Sequence, residues 1–384
     1  MQALQPIIKP VSLSCNLGCD YCYYGPPRKE DFRVILGDSV DKFNVMSEET
    51  LGALIAAFAG TRRPVNFMWH GGEPLIAGLK FFQRAVEIQR QVFKRRRQSA
   101  NTVQTNGLLV DENWARFFME NHFHVGTSLD GTAAMHDVFR VDRSGRGSAD
   151  KVIKAIKLMV EYGIDVNVIS TITKANVGHA AEVYVFLRSL GVTKMKFSHL
   201  HERERLGDRS EIAATPEEHA TFMIALLDAW LEEDNPEVEI SDLVSIIQVL
   251  SGGKDVDCIF AGVCERFLTI EYDGSVMWCD TIGKPSEIRI FGNVRDGLDS
   301  IVVSRGYRKF QDQFQRLHRK TSKQPWYPFI TLGCLGDYPE MPFGAKNPQN
   351  TYAESWMSII SAVADRLEAN NFRIINDPRK ISSR

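Results

Sequence analysis

Three cysteines fall within the eight-residue run Cys15-Asn16-Leu17-Gly18-Cys19-Asp20-Tyr21-Cys22. Thiolates at spacings of four and three on one short loop suit a cubane [4Fe-4S] cluster that keeps one iron free of protein ligands. A structural zinc site would want a fourth Cys or His close by, and none occurs before His70. Four more cysteines, Cys258, Cys264, Cys279 and Cys334, are the number needed for one fully ligated [4Fe-4S] site or, equally by spacing, for a tetrahedral zinc site. Seven cysteines is an odd count in a 384-residue chain too large to need disulfide staples, so metal ligation in a reducing, cytoplasmic compartment explains them better.

The elements that must position these residues show in the hydrophobic pattern. Short apolar runs alternate with amphipathic stretches from about Pro64 to Leu200, the signature of β/α repeats around a parallel sheet. Strands are expected over Val65–Trp69, Thr102–Gln104, Phe123–Ser128, Asp165–Thr171 and Lys194–Ser198, with one more just before Cys15. Helices are expected over Leu79–Arg97, Asp111–Asn121, Ala149–Tyr162 and Gly178–Leu190, and one starts near Ser47, a capping residue followed by two acids. About six β/α units result, which is a partial (β/α)6 barrel of the α/β class rather than a closed eightfold one. Thr215 followed by Pro216, Glu217 and Glu218 opens a helical region, and Tyr272-Asp273-Gly274-Ser275 joins two apolar runs as a hairpin turn. The domains read as 1–205, a helical linker 206–255, a second cysteine-bearing domain 256–367 and a polar, loosely held tail 368–384.

Bulk composition excludes little but is consistent. A formal net charge of -2 gives no global attraction to nucleic acid, and no window approaches the run of about 18 apolar residues that a membrane helix needs. Neither partner is expected.

The motif C-x3-C-x2-C with an aromatic-rich sequel resembles the signature of radical S-adenosylmethionine (radical SAM) enzymes. Gly71-Gly72-Glu73-Pro74, Gln104-Thr105-Asn106-Gly107 and Ser128-Leu129-Asp130-Gly131 follow in the family's order, each at the end of an expected strand. The resemblance implies a [4Fe-4S] cluster on Cys15, Cys19 and Cys22 whose open iron chelates S-adenosylmethionine, and a 5′-deoxyadenosyl radical as the oxidant. It also implies Tyr21 beside the adenine, Gly71 to Pro74 at the cofactor amino group, Gln104 and Asn106 in the same pocket, and Ser128 with Arg140 at its carboxylate.

Cys258-x5-Cys264 followed by the Asp273-Gly274 hairpin and Cys279 resembles the opening of a SPASM or twitch domain, which implies a C-terminal auxiliary [4Fe-4S] cluster on Cys258, Cys264, Cys279 and Cys334. Thr321, Gln324, Ile330 and Ala353 stand where a second auxiliary cluster would take its other cysteines, so one auxiliary cluster is expected. From Cys15 to Trp356 the chain is similar to anaerobic sulfatase-maturating enzymes, in which the residue matching Asp280 is the base that deprotonates substrate. Because one cluster is missing from that pattern, the expectation is a maturase of ribosomal peptides making oxidative modifications or cross-links, with formylglycine formation on a sulfatase as an alternative. A small-molecule dehydrogenase and a non-enzymatic electron carrier are further alternatives. Expected partners are a peptide or protein substrate and a one-electron donor such as flavodoxin or ferredoxin. Only fourteen residues precede Cys15, so a substrate leader is expected to dock elsewhere, such as on a sheet edge.

Overall fold

A computed structural model describes residues 4–22, 44–60, 64–93, 99–201, 211–254, 256–279, 290–339, 343 and 345–380. The chain forms two compact units, each assembled from several stretches: 1–128, 139–166 and 265–312 in the first, and 129–138, 167–264 and 313–384 in the second. Six β/α repeats follow one another in chain order. The strands are β1 (Gln5–Ile8), β2 (Val65–Trp69), β3 (Ser99–Thr105), β4 (His124–Ser128), β5 (Val166–Thr171) and β6 (Lys194–Ser198). Between them run α1 (Glu48–Ala59), α2 (Leu79–Phe93), α3 (Glu112–Glu120), α4 (Ala149–Glu161) and α5 (Ala180–Ser189), and α6 (Pro216–Glu233) follows β6.

Local chemistry sets the helix starts. Ser47 Oγ accepts from Thr50 N at 3.1 Å and Asp111 Oδ1 from Trp114 N at 2.9 Å, while Thr215 and Glu218 form a reciprocal capping box before α6. In the first unit β1 to β4 pair in parallel, and buried positions alternate with half-buried ones along β2 and most of β3. The inward set meets the apolar faces of the helices: Trp69 is fully buried, packs edge-on against Phe82 at 5.3 Å, and donates its indole N–H to Asn101 at 2.9 Å. The other side of β1 takes a parallel strand, β8 (Phe267–Ile270), followed by antiparallel β9 (Ser275–Met277) and β10 (Ile290–Asn293). The first unit's strand order is thus β10-β9-β8-β1-β2-β3-β4. Gly274, at φ +87°, makes the expected hairpin turn between β8 and β9.

The second unit carries β5 and β6 in parallel with a short β7 (Glu239–Ile240) added by α7 (Ser241–Leu250). α6 packs on α5 and on α8 (Ala353–Ala369). A clamp fixes α5 to α6: Tyr184 Oη donates to Glu233 at 2.6 Å and Arg188 pairs with the same carboxylate at 2.8 Å. The tail departs from its expected looseness. Ile375 and Asn376 donate backbone N–H groups to Leu250 O, and Arg379 pairs with Asp365, Glu368 and Asp377, because the polar sequence finds carbonyls at the end of α7 and acids on α8. Among the described residues no helix is long and apolar enough to cross a membrane.

Candidate active site

The cysteine loop leaves β1 and is held on two sides within the first unit. From one side the segment 139–147 pairs with it: Gly18 N donates to Val141 O at 2.8 Å, Asp20 N to Phe139 O at 3.0 Å, and Arg143 Nη2 to Cys15 O at 2.5 Å. From the other, Asn106 Nδ2 reaches both Cys15 Sγ (3.6 Å) and Asn16 Oδ1 (2.7 Å) from the end of β3. Leu17 N points at the same sulfur at 3.4 Å. Cys15, Cys19 and Cys22 are half-buried, so three sulfurs stand on one braced turn with N–H donors aimed at the first of them. Burial, with Glu73 nearby, pushes the Cys15 thiol up to about 12. Such a thiol becomes a thiolate at neutral pH only when a metal binds it, which is the donor set an iron-sulfur cluster requires. An open groove beside Cys15 and Asn16 is lined by Ile76 and the turn 142–146.

Gly71 to Pro74 follow β2 and press against the same loop. Gly72 N donates to Ser12 O and Glu73 N to Ser14 O. A Cβ on Gly72 would stand 2.1 Å from Ser14 O, and Gly71, at φ +113°, would put one 2.6 Å from Ser12 O, so only glycine fits. Glu73 is fully buried. Its Oε1 accepts from Leu75 N (3.0 Å) and Thr105 Oγ1 (2.9 Å), and its Oε2 from Asn106 N (2.7 Å). The carboxylate therefore braces the β2 and β3 loops against each other, and burial raises it to about 7 despite these bonds. Pro74 opens a single 3-10 turn, Pro74–Ala77, where its missing N–H is not needed.

Gln104 and Ser128 meet at the ends of β3 and β4, with Gln104 Nε2 donating to Ser128 Oγ at 3.3 Å across Gly126. Any Cβ at residue 126 would lie 2.0 Å from Gln104 Oε1. Arg140 lies over the ring of Tyr21 at 5.1 Å, and Phe139 meets that ring edge-on at 6.2 Å. The structure thus brings together Cys15, Cys19, Cys22, Gly71 to Pro74, Gln104, Asn106, Ser128, Arg140 and Tyr21 in one unit, with Glu73 as a brace and Arg140 covering the Tyr21 ring, two contacts that motif order does not show.

In the second unit Cys258 opens a short helix, Cys258–Ala261, Cys264 is buried, and Cys334 begins a tight turn over Leu335–Asp337. Burial pushes the Cys258 thiol up to about 12, with Cys334 close enough to add to the effect. Tyr338 lies within the electrostatic reach of Cys264 and Cys334, so these three thiols share one neighbourhood. Cys279 is half-buried just after β9 in the first unit, and Asp280 lies outside the described residues. Thr321, Ile330 and Ala353, which stand where further cysteines would bind a second auxiliary cluster, are all buried, and Thr321 Oγ1 donates to Leu317 O. Around the second-unit cysteines the structure adds groups that motif reading missed: Lys196, whose ammonium bridges Asp242 and Asp257, and His199 and His201 on Asp337. The His-Leu-His spacing after β6 is the only trace of them in the sequence.

Two family models match the chain: the radical SAM superfamily over residues 10–187, and the SPASM iron-sulfur cluster-binding domain over 258–326. The chain is 28% identical to a cysteine-type anaerobic sulfatase-maturating enzyme of Clostridium novyi, over 96% of this chain and 97% of that one. It is 30% identical to a serine-type anaerobic sulfatase-maturating enzyme of Bacteroides thetaiotaomicron, over 72% and 69%. Among solved structures it is similar to native anSMEcpe with bound AdoMet and Cp18Cys peptide, with a TM-score of 0.82 and 27% identity, covering 96% of this chain and all of that one. It shares its fold, at 14% identity and a TM-score of 0.57, with Streptococcus suis SuiB bound to precursor peptide SuiA. The chain belongs to the radical SAM superfamily, in the family of the anaerobic sulfatase-maturating enzymes, and is an enzyme that uses S-adenosylmethionine, a [4Fe-4S] cluster that binds it, and an auxiliary iron-sulfur cluster.

Proposed function

We propose that this enzyme modifies one residue of a peptide or protein substrate, and that the residue is a cysteine or serine oxidised to formylglycine. The observation that carries this is the three-cysteine loop with its glycine and Asn106 braces, set in a chain similar over nearly its whole length to cysteine-type sulfatase-maturating enzymes. Bound cluster and S-adenosylmethionine supply a 5′-deoxyadenosyl radical, the oxidant that removes a hydrogen atom from the substrate carbon.

The chain's own residues have separable tasks. Cys15, Cys19 and Cys22 hold the iron-sulfur cluster. The carbonyls of Gly71 and Gly72 take the cofactor ammonium, since Glu73 is fully buried and its oxygens already accept three protein hydrogen bonds. Ser128, oriented by Gln104, donates to the cofactor carboxylate, with Arg140 as its cationic neighbour and Tyr21 fixing Arg140 by ring contact. Cys258, Cys264 and Cys334 hold the auxiliary cluster, and Cys279 is assigned with them on the sequence pattern. Asp280 is the base that takes the substrate proton, and the auxiliary cluster would accept the remaining electron, which leaves the aldehyde from serine, or from cysteine a thioaldehyde that water converts to the aldehyde with loss of hydrogen sulfide. The electron donor is a small redox protein such as flavodoxin or ferredoxin, and thiolate-held clusters fit a cytoplasmic setting.

A second reading is favoured by one observation. Thr321, Gln324, Ile330 and Ala353 offer no thiolates for a second auxiliary cluster at those positions, a difference in electron handling that suits cross-linking or epimerising peptide maturases. One assay separates the two. Anaerobic enzyme with reductant and S-adenosylmethionine is given paired peptides that differ only in Cys, Ser or Ala at the sulfatase position. An aldehyde, trapped by hydrazide and located by mass spectrometry on the Cys or Ser peptide, is the expected product; cofactor cleavage with neither peptide altered overturns the formylglycine assignment.

A further inference from the structure

The end of the helix Arg305–Thr321 carries a concentration of charge that the reaction as described does not use. Arg316, Arg319 and Lys320 recur at helical spacing on one face, and Lys323 continues the row onto the turn that follows; all four are exposed. No acid occurs in residues 316–323, and among the described residues none of the four has an ion-pair partner, although Lys320 donates to Ala345 O. A chain of net charge -2 has no general excess of cations, so this row is a local segregation. The helix dipole favours Arg319 and Lys320 in the last turn, but not Arg316 before it or Lys323 beyond it. Like charges three and four positions apart also repel, so the row is not explained by helix stability.

The inner side of the same helix end is fixed to the segment that carries two of the auxiliary-site cysteines. Phe314 and Leu317 are buried, and His318 Nε2 donates to Gly262 O at 3.1 Å. His318 Nδ1 accepts from Tyr327 Oη at 2.8 Å, so the ring is neutral and adds nothing to the charge outside. Gly262, at φ +61°, lies between Cys258 and Cys264; a Cβ there would stand 2.4 Å from Thr331 Oγ1 and 3.0 Å from His318 Cε1. Thr331 Oγ1 in turn donates to Phe260 O at 3.2 Å. The cations therefore face outward from a helix whose inner face holds the Cys258–Cys264 segment.

In the formylglycine reaction the substrate leaves one electron on the auxiliary site, and that electron must reach an acceptor before the next turnover. We propose that Arg316, Arg319, Lys320 and Lys323 form the docking surface for a small one-electron carrier with an acidic face, which takes up that electron. One electron leaves the auxiliary cluster and one enters the carrier, with no bond made or broken. The charge selects an acidic partner, and the position selects a carrier, because the helix beneath is bonded to the cysteine-bearing segment. Such complementarity acts mainly on encounter, raising association rates by about 10- to 1000-fold, and salt screens it. The inference rests on the assignment of Cys258, Cys264 and Cys334 to the auxiliary cluster made above.

The test uses the full chain carrying Cys15→Ala, Cys19→Ala and Cys22→Ala, reconstituted so that about four irons remain, with an acidic flavodoxin as probe. Binding is read by titration calorimetry, and electron transfer by flavin semiquinone formation after reduced protein is mixed with oxidised flavodoxin, each at low and high ionic strength. Arg316→Glu with Lys323→Glu is expected to weaken binding and slow transfer at least about tenfold at low salt, and to leave little salt dependence. Lys154→Glu with Lys157→Glu, the same change in net charge at exposed positions of α4, should alter neither. Unchanged binding and transfer in the first variant, or an equal loss in both, would overturn the proposal. Should the first variant lose iron, Arg316→Gln with Lys323→Gln decides: a several-fold loss supports the docking surface and no loss refutes it. A raised KM for substrate peptide with flavodoxin binding unchanged would give the row to an acidic substrate instead, and also refutes it. A triple-cysteine variant that holds no iron would remove the auxiliary assignment and the inference with it, whereas iron retained with flavodoxin unaffected overturns the docking surface alone.

Discussion

Glu73→Gln separates the structural work of the GGEP carboxylate from its charge. Burial moves the Glu73 pKa from the ordinary 4.5 to about 7 in the folded chain. An acid whose folded pKa is raised contributes stability that is complete below 4.5 and is lost as pH rises through about 7, and that interval corresponds to about 3 kcal/mol. The substituted amide cannot ionise and carries no such dependence. Its oxygen can still accept from Leu75 N and Thr105 Oγ1, but its nitrogen faces Asn106 N, donor against donor, at a pH-independent cost of about 1–3 kcal/mol. The variant is therefore expected to be the less stable protein at pH 4.5, and to match or exceed wild type at pH 8. Anaerobic urea titrations followed by tryptophan fluorescence read this, since Trp69 and Trp114 lie in the core of the same unit. Groups common to both proteins cancel in the difference. A stability gap that stays constant from pH 4.5 to 8 would refute the argument that burial, rather than the three donors, governs this carboxylate.

Three further outcomes follow from the same geometry. Gly72→Ala forces a Cβ onto the Ser14 carbonyl beside the cysteine loop, so reconstituted protein should hold about four irons instead of about eight, while Gly178→Ala, with open space around its Cβ, should hold the full number. Asn106→Ala removes the side-chain N–H groups on Cys15 Sγ and Asn16 Oδ1, and should release iron from the N-terminal site faster under a chelator with the auxiliary irons unaffected. Glu233→Gln loosens the clamp on Arg188 and Tyr184; hydrogen bonds from Arg188 first and then Tyr184 lower this acid to about 2, so its stabilisation, on the order of 1 kcal/mol, is present above 4.5 and fades as pH falls toward 2. A wild-type and variant pair that lose stability in parallel below pH 4.5 would contradict that assignment.

Much of this architecture was legible because local chemistry and the fold agree. Val65–Trp69 and Lys194–Ser198 form strands with the bounds their apolar alternation predicts, and Asp111 and Thr215 cap the helices their sequences announce. Motif order along the strands also placed Cys15, Gly72, Gln104 and Ser128 in one unit, since parallel β/α repeats put every strand's end at one edge. What stayed hidden depends on pairings distant in sequence. Nothing near Phe267 announces that β8 pairs with β1, and the third partner of Glu73, Thr105 on β3, is recognisable only once the two loops meet. His199 and His201 gain meaning only from Asp337, which lies 138 and 136 positions away. The tail looked loose because its polar residues suit solvent as well as they suit the carbonyls at Val249 and Leu250.

The most direct test of the central assignment is cofactor cleavage by anaerobically reconstituted enzyme, with iron counted on the same sample. Wild type with reductant and S-adenosylmethionine should hold about eight irons and release 5′-deoxyadenosine, and Cys15→Ala should hold about four and release none. Equal 5′-deoxyadenosine from Cys15→Ala and wild type would contradict the placement of radical chemistry at the N-terminal cysteine loop.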